Sequence, residues 1–197
     1  RDLHVRSRRQ RQMCIRDSYL TSGEFVPEVA LEHPEVLEGL HKEFQHAGSN
    51  IVEAFTYNAH REKLRVIDKE HLLEPLNRAA LKIARKVADN APKDTGINLM
   101  AGNISNSNIW EQDNKKIQSE VRNMFAEMIK WATEEKADFI IGETFYYAEE
   151  AFVALEEIKK SGLPSVITIS PMGENKMKDG YTILETCKKL EEQGADV

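Results

Sequence analysis

The feature that most limits what this chain can become is a repeat in which a short apolar run is followed by an amphipathic helical stretch. Residues 34–47 (PEVLEGLHKEFQHA) put Val36, Leu37, Leu40 and Phe44 on one helical face, and Gly48 supplies a stop. NIVEAFTY (50–57) follows as a strand-like run through Ile51, Val52, Phe55 and Tyr57. Leu72, Leu73, Leu76, Ala80, Ile83, Ala84 and Val87 then recur at helical spacing over 69–90, with Pro75 either in a first turn or dividing two helices. The series continues with INLMAGNI (97–104), a helix over 114–135, ADFIIGETF (137–145), a helix over 148–162, LPSVITIS (163–170) and a helix over 182–193. Three phrases hold equivalent places: AGSNIVEAF, EKADFIIGETF and QGADV, the last cut off at Val197.

Apolar strands separated by crossover helices predict an α/β protein with a parallel sheet covered on both faces. Two architectures satisfy the pattern, an open doubly wound sheet and the eight-stranded β/α barrel. No GxGxxG follows the first strand and no Walker loop is present, so nucleotide-binding versions gain no support. A barrel takes roughly 250 residues, so a chain of 197 covers part of one.

Charge separates the chain into two parts. Residues 1–18 hold six arginines against Asp2 and Asp17, a balance of +4, whereas residues 19–197 carry −10. Such a start fits a nucleic-acid-binding arm, a transit peptide or a stretch foreign to the domain, and we read it as foreign. The acidic remainder disfavours nucleic acid as a partner, and no apolar run is long enough to span a membrane. Cys14 and Cys187 are too few for a disulfide framework or a four-thiolate metal site. The absence of an initiating Met and the abrupt end at Asp196-Val197 read as a fragment.

In either architecture, reactive groups sit at the carboxyl ends of strands. Those ends deliver Thr56, Tyr57, Asn58 and His60, then Asn103, Ser105 and Asn106, then Glu143 and Thr144, and finally Ser170 and Met172. Glu143 stands out because it follows Phe139-Ile140-Ile141-Gly142, and a carboxylate there needs a cation or hydrogen-bond donors. It is read as a ligand group, against the blander alternative of a partner Lys or Arg elsewhere in the protein. His60 reads as a helix-start residue, and His33, His41 and His46 form no spaced metal pair. Cys187 reads as a half-buried small residue, and Trp110 and Trp131 as packing residues.

HPEVLEGLHKEFQHAGSNIVEAFTYNAHREKL, LMAGNISNS, VRNMFAEMIKWATEEKADFIIGETF and DGYTILETCKKLEEQGADV together resemble the homocysteine S-methyltransferases. Within them the betaine–homocysteine branch looks most alike. The resemblance covers residues 19–197, implying the N-terminal part of a homocysteine-binding barrel domain, and leaves residues 1–18 outside it. It implies a partial (β/α)8 barrel, about strands two to five and the start of six. The implied activity moves a methyl group from a methylated amine or sulfonium donor to homocysteine, giving methionine, in a cytoplasmic enzyme. Its partners are homocysteine and the donor, with no nucleic acid or membrane, and homo-oligomerisation stays open.

By the same resemblance, Glu143 matches the carboxylate that helps hold the substrate amino group, and Thr56, Asn58 and Asn103 fall on active-site loops. The positions of the aromatic box that encloses a quaternary ammonium are Phe25, Asn58 and Thr144, of which only Phe25 is aromatic. That departure turns the expectation from betaine to another methylated amine or a sulfonium compound. The family's zinc is held by three cysteines, the first in a GxNC phrase that would lie just past GADV. Neither Cys14 nor Cys187 matches a ligand, so zinc is expected in the intact enzyme and not in this chain, which is expected to be inactive alone. Two rival readings stay open: a metal-independent barrel enzyme on another amino-acid-like substrate, and a non-catalytic α/β binding module.

Overall fold

The computed structural model describes residues 28–92, 96–173 and 175–197. Its elements run α1 (Val29–Glu32), α2 (Pro34–His46), β1 (Ile51–Glu53), α3 (Arg61–Arg65), a 3-10 turn (Glu70–Leu72) and α4 (Leu73–Asp89). They continue with β2 (Leu99–Ser105), α5 (Lys115–Glu134), β3 (Phe139–Phe145), α6 (Ala148–Ser161), β4 (Ser165–Ile169) and α7 (Ile183–Glu192). Pro75 falls in the first turn of α4, where a missing N–H costs no helical bond. Caps explain several starts: Asn114 accepts from the Ile117 N–H, and Thr182 forms a reciprocal capping box with Glu185.

The four strands are all parallel and lie in the order β1-β2-β3-β4. A doubly wound sheet reverses its order at a switch point, whereas a barrel adds each new strand beside the last. The observed order is that of the barrel. Val197 extends it, donating to the Ser165 carbonyl and accepting from the Ile167 N–H as a further parallel strand would.

The repeated phrases have a physical role in this ladder. Asp138 of EKADF accepts the Met100 N–H at 2.6 Å, and Asp196 of QGADV accepts the Ser165 N–H at 2.9 Å. Each aspartate thus anchors the amino end of the preceding strand and fixes its register. α4, α5 and α6 pack over Val52, Met100, Ile104, Ile140 and Phe145, which form the core with Leu76, Ala84, Phe125, Ala132 and Leu155. Gly102 allows α5 this approach, since a Cβ there would lie 2.7 Å from the Ala132 Cβ. Ile51 and Leu99 alternate onto the opposite face and are exposed, at 45% and 37%.

Two local expectations change. The strand expected over 50–57 ends at Glu53, because Thr56 turns the chain: its N–H donates to the Ala54 carbonyl and its hydroxyl to the Asn103 carbonyl at 2.9 Å. Cys187 is exposed rather than half-buried, because Thr186 and Leu190, four residues apart, occupy the inward stripe of α7. Trp110 and Trp131 are buried in the core, as packing residues should be.

Candidate active site at the carboxyl ends of the strands

Alternation along β1, β2 and β3 sends Glu53, Asn103 and Glu143 to the face opposite the helices. The parallel register sets Glu53 beside Ala101 and Asn103 beside Ile141, so each polar residue is diagonal to the next. Asn103 spends its amide donors on both acids. Its Nδ2 lies 2.5 Å from Glu53 Oε1 and 2.9 Å from Glu143 Oε2. Its Oδ1 is buried and has no hydrogen-bond partner among the described residues. Burial raises the Glu53 carboxyl above its ordinary range, opposed by the Asn103 hydrogen bond and assisted by the Glu143 charge.

These three residues open onto a cavity of 530 Å³, a size that suits small ligands. Thr144 and Asn58 line it, with Leu40, Phe44, Ile51 and Phe55 as an apolar wall. Among the described residues no lysine or arginine lines this space, and burial pushes the His41 imidazole at its edge down to about 4. Thr144 adopts φ 63°, a left-handed backbone that a β-branched residue rarely takes, at an irregularity in the β3–β4 pairing. Its N–H donates to Thr168 Oγ1 at 3.0 Å.

A buried polar platform supports the rim. The Lys63 ammonium donates to the Tyr57 carbonyl at 2.8 Å and to Ser105 Oγ at 3.1 Å. Burial lowers the Lys63 pKa to about 8, with the Glu143 and Glu150 charges opposing the fall. Glu150 accepts from the Ser107 N–H at 2.7 Å and hydroxyl at 2.5 Å, and its burial raises its own pKa. His60 caps α3, accepting from the Lys63 N–H, and burial drives its pKa down to about 3.

The structure therefore gathers Asn58, Asn103, Glu143 and Thr144 around one cavity. Thr56 is buried behind it as a turn residue, and Phe25 lies outside the described residues. Glu53 and Lys63 join the site without having been singled out in the sequence. Glu53 carries the same signal as Glu143, a carboxylate inside an apolar strand, but the apolar residues of IVEAF mask it. Lys63, in HREKLR, reads as part of a solvated helix start.

A parallel β/α barrel segment with acceptor groups at its strand ends defines a class of small-molecule enzymes. The chain belongs to the homocysteine S-methyltransferase family, whose model matches residues 8–197. It is 34% identical over 185 residues to betaine–homocysteine S-methyltransferase 1 of Sus scrofa, covering 91% of this chain and 63% of that protein. It is 32% identical over 179 residues to an S-methylmethionine–homocysteine S-methyltransferase of Pongo abelii, covering 91% of this chain and 46% of that one. The chain thus spans less than two thirds of the length of these relatives. The metallated form of the homocysteine methyltransferase MmuM from Escherichia coli matches its fold with a TM-score of 0.78 at 15% identity, over 93% of this chain and 68% of that one.

Among the described residues no group of three or more His, Cys, Asp or Glu could hold a metal ion, and Cys187 is exposed on α7. The described residues do not fit a zinc site.

Proposed function

We propose that the full-length protein transfers a methyl group from a methylated amine or sulfonium donor to the sulfur of homocysteine, giving methionine. In this step the homocysteine thiolate forms a new S–CH3 bond as the donor's C–N or C–S bond breaks. The bonding pair stays with the donor heteroatom, which becomes neutral. Glu143 supports the reading most directly: it brings a carboxylate to the cavity at the strand ends beside Asn103. Glu143 and Asn103 Oδ1, which has no partner among the described residues, would accept hydrogen bonds from the substrate ammonium, a charge-assisted arrangement. Asn58 and Thr144 line the remaining rim.

The reading puts the family's zinc on cysteines of the full-length protein other than Cys14 and Cys187, and the enzyme in the cytoplasm. Among the described residues, no helix is long and apolar enough to cross a membrane. The names of the two relatives, one acting with betaine and the other with S-methylmethionine, support an onium donor as a class. The test is methionine formation by the full-length protein from homocysteine and a panel of methylated ammonium and sulfonium donors. Glu143→Ala should weaken homocysteine binding tenfold or more. Absence of methionine with every donor, or unchanged homocysteine affinity in the variant, overturns the assignment.

A further inference from the structure

The amide of Asn103 is held from both sides. Its Nδ2 donates to Glu53 Oε1 on β1 at 2.5 Å and to Glu143 Oε2 on β3 at 2.9 Å, which uses both of its N–H bonds. Carboxylate oxygens only accept, so turning the amide over would press Oδ1 against both acids. The arrangement therefore has one favoured orientation, with Oδ1 directed away from the acids. That oxygen is buried and has no hydrogen-bond partner among the described residues, a state that costs free energy until a donor reaches it.

The two anchors do different work. The terminal torsion of an asparagine is soft, so a single bond to Glu143 would leave the amide plane free to swing. The second bond, from the strand on the other side of β2, removes that freedom. Among the described residues the Glu53 carboxylate makes no other hydrogen bond or ion pair, and burial raises it above its ordinary range. An apolar residue at the end of β1 would avoid that desolvation; what the acid supplies is the fixed amide. We propose that Glu53 is a positioning residue, which holds the Asn103 amide so that Oδ1 stays open to the substrate ammonium and Nδ2 stays on Glu143. The role rests on the amino group of homocysteine binding beside Glu143. Glu53 acts through Asn103, so its acceptor oxygen matters and its charge matters little. A carboxylate that attracted the ammonium directly would instead lose its effect once neutralised.

Titrations of the full-length protein with homocysteine, and with 4-mercaptobutanoate as the same skeleton without the ammonium, test this. Glu53→Ala should weaken homocysteine about fivefold, and leave 4-mercaptobutanoate within about twofold. Glu53→Gln removes the charge but keeps an oxygen for Asn103 Nδ2, and should stay within about twofold of wild type for both ligands. In the Asn103→Ala background, Glu53→Ala should add no further loss, because the group it positions is gone. In turnover, Glu53→Ala should raise the homocysteine KM with kcat little changed. The proposal is overturned by a Glu53→Gln loss equal to that of Glu53→Ala, by a loss shared with 4-mercaptobutanoate, or by a further loss in the Asn103→Ala background. Unchanged homocysteine affinity in Glu143→Ala would instead remove the underlying reading.

Discussion

The Lys63 ammonium lies 3.7 Å above the centre of the Tyr57 ring while donating to the Tyr57 carbonyl at 2.8 Å. One buried cation therefore holds both the ring and the backbone of a residue lining the cavity, and its bond to Ser105 ties that loop to β2. The cost is desolvation, which lowers the Lys63 pKa to about 8 from 10.5. A lysine whose folded pKa lies below its unfolded one binds fewer protons when folded. Its charging penalty is present in full below about pH 8 and is relieved as the pH rises toward 10.5. The full-length protein should show this contribution as a rise in urea-determined stability across that window, on the order of 3 kcal/mol. Lys63→Met should remove the rise and loosen the Tyr57 loop; an identical slope in wild type and variant would count against the buried charge.

Asp138 does at the opposite ends of the strands what Asn103 does at the site: it ties neighbours together. Its Oδ2 accepts from the Met100 N–H and, at 2.8 Å, from Arg85. Asp138→Ala leaves the Met100 N–H and the guanidinium short of an acceptor. The expected loss is about 1–3 kcal/mol in chemical denaturation. Asp138→Asn, whose carbonyl still accepts, should lose less.

The contact between β2 and α5 predicts a third outcome. Gly102→Ala puts a methyl group 2.7 Å from the Ala132 Cβ and 2.8 Å from Ile140 Cδ1. Such overpacking costs about 1–3 kcal/mol. Pairing it with Ala132→Gly opens space but adds the helix penalty of glycine, about 1 kcal/mol. A double-mutant cycle should therefore show a favourable coupling energy between the two sites. Purely additive effects would mean the sheet and helix separate to absorb the methyl.

These sites also show what the sequence displays and what it hides. Long helical periodicities at 69–90 and 114–135 announce α4 and α5, because each buries a wide stripe against the sheet. The order of the strands is open in the sequence between barrel and doubly wound sheet, since both use the same local unit, and only pairing in space decides it. Glu143 is visible as a carboxylate in an apolar run, but its partnership with Asn103 and Glu53 depends on the stagger of three strands. Lys63 is hidden for a related reason: its acceptors come from Tyr57 and Ser105, forty-two residues away in the latter case.

Thr144 carries the last prediction, because its backbone and its position pull in opposite directions. A β-branched residue at φ 63° costs about 1–3 kcal/mol, a strain that glycine avoids. The strain accompanies the irregular pairing that leads from Glu143 to Phe145, which is buried against Phe125 with ring centroids 5.9 Å apart. Regular alternation would send residues 143 and 145 to the same face; the turn at Thr144 lets Glu143 face the cavity while Phe145 enters the core. Thr144→Gly should raise the thermal midpoint of the full-length protein, since it relieves the backbone while keeping the N–H bond to Thr168. It also removes a side chain from the cavity rim, so ligand affinity should fall about three- to tenfold. Opposite movement of stability and binding marks a residue kept for its site at the expense of the fold. A variant that loses both, or gains both, would show instead that the Thr144 side chain serves only to hold the strand.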